Sequence, residues 1–147
     1  MEEFKKLGNE KYINEEYQEA VNFYDKGLEL DNDNYILYSN KCACLLKLKN
    51  YNNALTCAIK CTKLNPKWAK GWTRLGTTLY SLKKNNESLT AFKKAHELDK
   101  KNEYNLKMIN ELEENTEEED DEENDISIIN DNNNNNMPGM PSMPGMP

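Results

Sequence analysis

The chain has 147 residues, room for one ordinary domain and a tail, and its formal net charge of −7 hides a division. All 19 Lys and Arg precede residue 113, with 15 of the 26 acids, so the first 112 residues carry +4 and the remainder −11. The mildly basic block points to anionic partners. The opening Met-Glu-Glu shows no basic region followed by an apolar core, so no secretory signal is expected. No apolar run nears the roughly 18 residues of a membrane span. We expect a protein of the cytoplasm or nucleus, where thiols stay reduced, with neither membrane nor nucleic acid as a partner.

Apolar spacing and breakers predict helices in pairs. The first pair covers about 2–14 and 17–30 and ends in Asp31-Asn32-Asp33-Asn34. The second covers about 35–48 and 51–64 and stops at Asn65-Pro66, because proline cannot continue a helix interior. The third covers about 69–82 and 85–98. Tyr17 and Tyr51 open the second helix of the first two pairs, whereas Asn85 stands there in the third and predicts a looser turn. A last helix is expected at 103–115, with Tyr104, Leu106, Ile109 and Leu112 as its apolar stripe. From residue 116 to 147 the acidic, Asn-rich and Met-Pro-Gly composition predicts disorder, since it offers too little apolar surface to offset backbone ordering.

The pairs repeat every 34 residues. Phe4, Tyr38 and Trp72 align, as do Ala20, Ala54 and Ser88, then Tyr24, Ala58 and Phe92, then Leu30, Leu64 and Leu98. Small residues hold two columns, one of Gly8, Cys42 and Gly76 and one of Gly27, Cys61 and Ala95. Small residues at fixed offsets let two helices approach closely. A single hairpin cannot bury its own apolar face, so three must stack, about 1–34, 35–68 and 69–102, with 103–115 as a cap.

Four cysteines raise a metal reading, with Cys42 and Cys44 as C-x-C and Cys57 and Cys61 as C-x3-C. Zinc pairs prefer loops and turns, and these four fall within predicted helices. Cys42 and Cys61 also sit in the small columns, where cysteine acts as a compact apolar residue. We therefore expect no metal and no cofactor. His96, the single histidine, has no sequence partner that would make it a ligand or base.

At about 100° per residue, repeat positions 2, 5, 6 and 9 of each first helix lie opposite the packing stripe. They are Glu2, Lys5, Lys6 and Asn9, then Ile36, Ser39, Asn40 and Ala43, then Lys70, Thr73, Arg74 and Thr77, with Lys47 one turn on. A stack of hairpins puts its first helices on the concave side. The sequence thus predicts a polar groove with positive charge at both ends.

These columns resemble the tetratricopeptide repeat over about residues 2–102. The resemblance implies an all-α superhelix of three such hairpins plus the capping helix. Lys5, Asn9, Asn40, Lys70 and Arg74 further match the two-carboxylate clamp of tetratricopeptide co-chaperones, such as the small glutamine-rich and Hsp-organizing families. That resemblance implies a peptide partner: the carboxyl-terminal Glu-Glu-Val-Asp of the seventy- and ninety-kilodalton classes of heat-shock chaperone. Such a terminus carries two carboxylates on one residue, to which ammonium groups and amides from several helices can donate together. Tyr12, Ala43, Leu46 and Tyr80, with Lys47, would line a secondary groove for upstream ligand residues. No nucleophile–base pair, phosphate loop or metal set is present, so the expectation is a binding module rather than an enzyme. Internal-peptide scaffolding and service as the targeting module of a larger enzyme are the alternatives. The chain opens directly on its first repeat, which suggests a monomer.

Overall fold

The computed structural model describes residues 1–119, with side chains to residue 115, and these residues are helical throughout apart from short turns. The helices are α1 (Glu2–Ile13), α2 (Tyr17–Leu30), α3 (Tyr35–Lys47), α4 (Tyr51–Leu64), α5 (Ala69–Ser81), α6 (Asn85–Leu98) and α7 (Glu103–Glu119). Each packs on the next in chain order, and α3 also packs on α5. The result is a superhelix of three hairpins closed by α7.

Local chemistry sets the boundaries. Asn34 caps α3 by accepting from the Leu37 amide at 3.0 Å, and Asn102 does the same at 3.2 Å for Asn105 at the start of α7. Inside each hairpin the chain turns through a left-handed residue at the same repeat position: Glu15, Lys49 and Lys83, with φ of 64°, 61° and 63°. The Glu15 and Glu16 amides donate back to the Tyr12 and Lys11 carbonyls, and the pairs Lys49–Leu46, Asn50–Leu45, Lys83–Tyr80 and Lys84–Leu79 repeat the pattern. This is the Schellman termination, here without its usual glycine. The third turn is therefore no looser than the others, contrary to the expectation from Asn85. The backbone bonds that close it need no tyrosine.

The two small columns explain the close approach of the helices. A Cβ on Gly8 would lie 2.5 Å from the Tyr24 ring, and one on Gly76 2.9 Å from Phe92. Cys42, Cys61 and Ala95 are fully buried, as are Ala20, Ala54 and Ser88. The Ser88 hydroxyl donates to the Gly76 carbonyl at 2.8 Å, which lets a polar side chain sit in that column. Not every aligned column is core: Leu30 is 65% exposed.

In α7 the predicted stripe is right at Ile109 and Leu112 and wrong at Tyr104 and Leu106. Asn105, Met108, Ile109 and Leu112 are buried, while Tyr104 and Leu106 are exposed. A polar residue at a core position hid the i, i+3, i+4, i+7 pattern from the sequence. α7 also runs to Glu119, four residues past the predicted boundary, because glutamate is a good helix former and propagation from a docked helix is cheap. The rest of the expected disordered tail lies outside the described residues. Among those described, no helix is long and apolar enough to cross a membrane.

Candidate functional site

The five clamp positions come from three helices. Lys5 and Asn9 are one turn apart on α1, Asn40 is on α3, and Lys70 and Arg74 are one turn apart on α5. Asn9 and Lys70 are exposed, and Lys5, Asn40 and Arg74 are partly so. Lys5 lies 3.6 Å from Glu2, a loose contact on the same helix. The Asn9 Oδ1 accepts from the Tyr24 hydroxyl at 2.5 Å. Arg74 donates through Nε to the Ser39 hydroxyl at 3.1 Å, tying α5 to α3.

Tyr24, the residue that holds Asn9, has a strongly shifted phenol. Burial pushes the Tyr24 phenol well above its usual pKa, and the Arg74 guanidinium acts in the opposite direction. The charge of Arg74 on α5 is thus felt by the hydroxyl that holds Asn9 on α1. Tyr12 also acts on Tyr24 and so belongs to the same locality.

The secondary positions divide. Lys47 and Tyr80 are exposed, and Leu46 is half-buried. Tyr12 is half-buried with its ring edge-on to Tyr17 at 5.3 Å. Ala43 is buried, with 8% of its surface exposed, so it has little surface to offer a ligand. Three further positions read as groove-facing are also occupied. Ser39 is fully buried beneath Arg74. Thr73 donates to Asn105 Oδ1 at 2.8 Å, and Thr77 shares a 3.2 Å hydrogen bond with Tyr104. Helix α7 thus covers part of the face that α5 presents, which a single-helix projection cannot anticipate.

Sequence reasoning missed Tyr24 and the role of Ser39. The available signal was the hydroxyl in the Tyr24 column, which Ala58 and Phe92 lack. The four thiols are buried, which pushes Cys42 up to about 11 and Cys44, Cys57 and Cys61 up to about 12. They remain protonated near neutrality and present no thiolate. No group of three or more His, Cys, Asp or Glu among the described residues is placed to hold a metal ion. His96 is half-buried, and its Nδ1 has no hydrogen-bond partner among the described residues.

The chain and its fold are similar to those of known proteins. The heat shock protein sti1 homolog of Schizosaccharomyces pombe is 44% identical over 81 residues, covering 55% of this chain and 14% of that protein. Heat shock protein STI1 of Saccharomyces cerevisiae is 38% identical over 102 residues, covering 69% of this chain and 17% of its own length. The chain thus spans less than a fifth of either relative. Among solved structures, the first TPR of Spaghetti (RPAP3) bound to HSP90 peptide SRMEEVD superposes with a TM-score of 0.74 at 24% identity, over 76% of this chain and 88% of that one. The family of ChAPs (Chs5p-Arf1p-binding proteins) matches residues 10–138, a segment that starts within α1 after Lys5 and Asn9. The chain belongs to that family, and its described residues form a tetratricopeptide-repeat domain of the kind found in co-chaperones.

Proposed function

We propose that this domain is a co-chaperone or adaptor module that binds the carboxyl-terminal Glu-Glu-Val-Asp of seventy- and ninety-kilodalton heat-shock chaperones. It acts as a cytoplasmic monomer and performs no chemistry of its own. Lys5, Asn9, Asn40, Lys70 and Arg74 form the clamp on the two terminal carboxylates. Tyr12, Leu46, Lys47 and Tyr80 border the upstream residues. The observation that carries this reading is that two of these side chains, from different helices, are each held by a buried hydroxyl, Asn9 by Tyr24 and Arg74 by Ser39. Guanidinium, ammonium and amide donors together suit a group with several acceptor oxygens.

Titration calorimetry tests it. A free Glu-Glu-Val-Asp peptide is expected to bind with a Kd on the order of micromolar, because few contacts offset the ordering of a flexible ligand. Raising the salt weakens it by screening. Lys70→Ala or Arg74→Ala loses about tenfold or more, the scale of one charge-assisted hydrogen bond. The unfolding midpoint is unchanged for Lys70→Ala and slightly lowered for Arg74→Ala, which leaves the buried Ser39 hydroxyl without its donor. Normal binding by both variants overturns the clamp. A second reading, a scaffold for internal peptides, is favoured by a different observation: the family match begins after two clamp residues. Amidating the peptide terminus separates the two, since only a clamp then loses binding.

A further inference from the structure

Two of the five clamp side chains are held by hydroxyls that lie beneath them. Tyr24 on α2 is 2% exposed, and its Oη donates to Asn9 Oδ1 on α1. Ser39 on α3 is fully buried, and its Oγ accepts from Arg74 Nε on α5. Repeat packing does not require the first of these hydroxyls. The ring of Tyr24 fills the space against Gly8, and Ala58 and Phe92 occupy the same column without one.

An asparagine amide is two-faced toward an anion. Its NH2 edge donates to a carboxylate and its oxygen edge repels one, and rotation of the terminal torsion exchanges them. With the oxygen engaged by Tyr24, the NH2 edge is the one left over. Because burial keeps the Tyr24 phenol protonated, it remains a donor across the neutral range. The guanidinium poses a related problem of orientation. It is a planar fork of five N–H donors, and anchoring Nε fixes the plane while leaving both terminal nitrogens free. Both ties are made during folding, so a ligand meets donors already aimed.

We propose that Tyr24 and Ser39 are positioning residues, setting which atoms of Asn9 and Arg74 a terminal carboxylate meets. The inference rests on the clamp reading above and assigns neither residue a contact with ligand. It requires the Tyr24 hydroxyl to matter only while Asn9 is present, and the Ser39 hydroxyl only while Arg74 is.

The test uses the full chain, a Glu-Glu-Val-Asp peptide and titration calorimetry on Tyr24→Phe and Ser39→Ala. Each variant is expected to bind about three- to tenfold more weakly, the range set by one ordinary hydrogen bond. The phenylalanine keeps the ring against Gly8, and alanine fits the Ser39 site, so unfolding midpoints should stay near that of the parent. In an Asn9→Ala background Tyr24→Phe should cost nothing further, and in an Arg74→Ala background neither should Ser39→Ala. Nitrogen relaxation of the Asn9 side-chain amide should report order in the free parent protein and its loss in Tyr24→Phe. If Asn9→Ala and Arg74→Ala weaken binding while both hydroxyl variants bind normally, the positioning roles are overturned and the clamp stands. Losses that simply add in the double variants also overturn them, since a general structural role behaves that way. Normal binding by both Asn9→Ala and Arg74→Ala overturns the clamp itself.

Discussion

The first and third hairpins place the same two repeat columns in different surroundings. On α1 the columns hold Lys5, with 28% of its side chain exposed, and Asn9, which is exposed. On α5 they hold Thr73 and Thr77, whose hydroxyls are engaged by Asn105 and Tyr104 of α7. The middle hairpin shows a third outcome, with Ser39 fully buried and Ala43 at 8%. The offset within a repeat is constant, yet what it faces depends on the helix that follows. Helix α1 packs chiefly on α2, whereas α3 packs on α5 and α7 reaches across to α5. A repeat column is a geometric address, and only the neighbours decide whether it is wet.

Paired substitutions in one column put that contrast to the test. The largest effect is expected at the second column. Ala43→Leu adds three carbons where only 8% of the residue is exposed and should cost about 3 kcal/mol through overpacking. Asn9→Leu in the same column fits without overpacking and should cost less, about 1–2 kcal/mol, from the buried Tyr24 hydroxyl left without its acceptor. Urea titration of both decides, and equal midpoints would remove the distinction between the hairpins.

Next in size is the first column. Asn105 is fully buried, and its Nδ2 already lacks a hydrogen-bond partner among the described residues. Thr73→Val removes the donor to its other amide atom, at an expected cost of about 1–2 kcal/mol for the orphaned group. Lys5→Met should be nearly neutral in the same melt. A Thr73→Val midpoint equal to the parent would show that α7 does not depend on this contact.

The smallest effect should be the same in every hairpin. Glu15, Lys49 and Lys83 hold positive φ within identical backbone bonding. Replacing any one with glycine should raise stability by about 0.5–1 kcal/mol, because the left-handed conformation carries a side-chain penalty that glycine escapes. Three equal gains would mark the turns as the part of the molecule that repeats faithfully. Unequal gains would show that the hairpins differ there too.

Much of the fold was legible because its signals are local. Pro66 ends a helix by what it cannot do, and the 34-residue spacing of Gly8, Cys42 and Gly76 announces close helix contacts before any contact is seen. The capping helix was found together with half of its buried stripe, Ile109 and Leu112. Apolar spacing chose Tyr104 and Leu106, whereas the packed face carries Asn105, whose hydrogen bond to Thr73 comes from another helix. The candidate site divides in the same way. Its five proposed residues were chosen by type and spacing, whereas Ser39 was read as a groove surface and is instead the support beneath Arg74.

The sequence alone determined that this chain forms helical hairpins in a stack, where the small columns lie, and which cationic and amide residues share a face. Those properties depend on steric volume, backbone propensity and the helical period, all of which act within a few residues. The tertiary structure alone decided which donors remain free. Whether Asn9 offers its NH2 edge, whether Arg74 Nε is engaged by Ser39, and whether Thr73 faces solvent or α7 depend on atoms from 15 to 35 residues away in the chain. A hydrogen bond acts over about 3 Å, so its partner exists only once packing has brought the helices together.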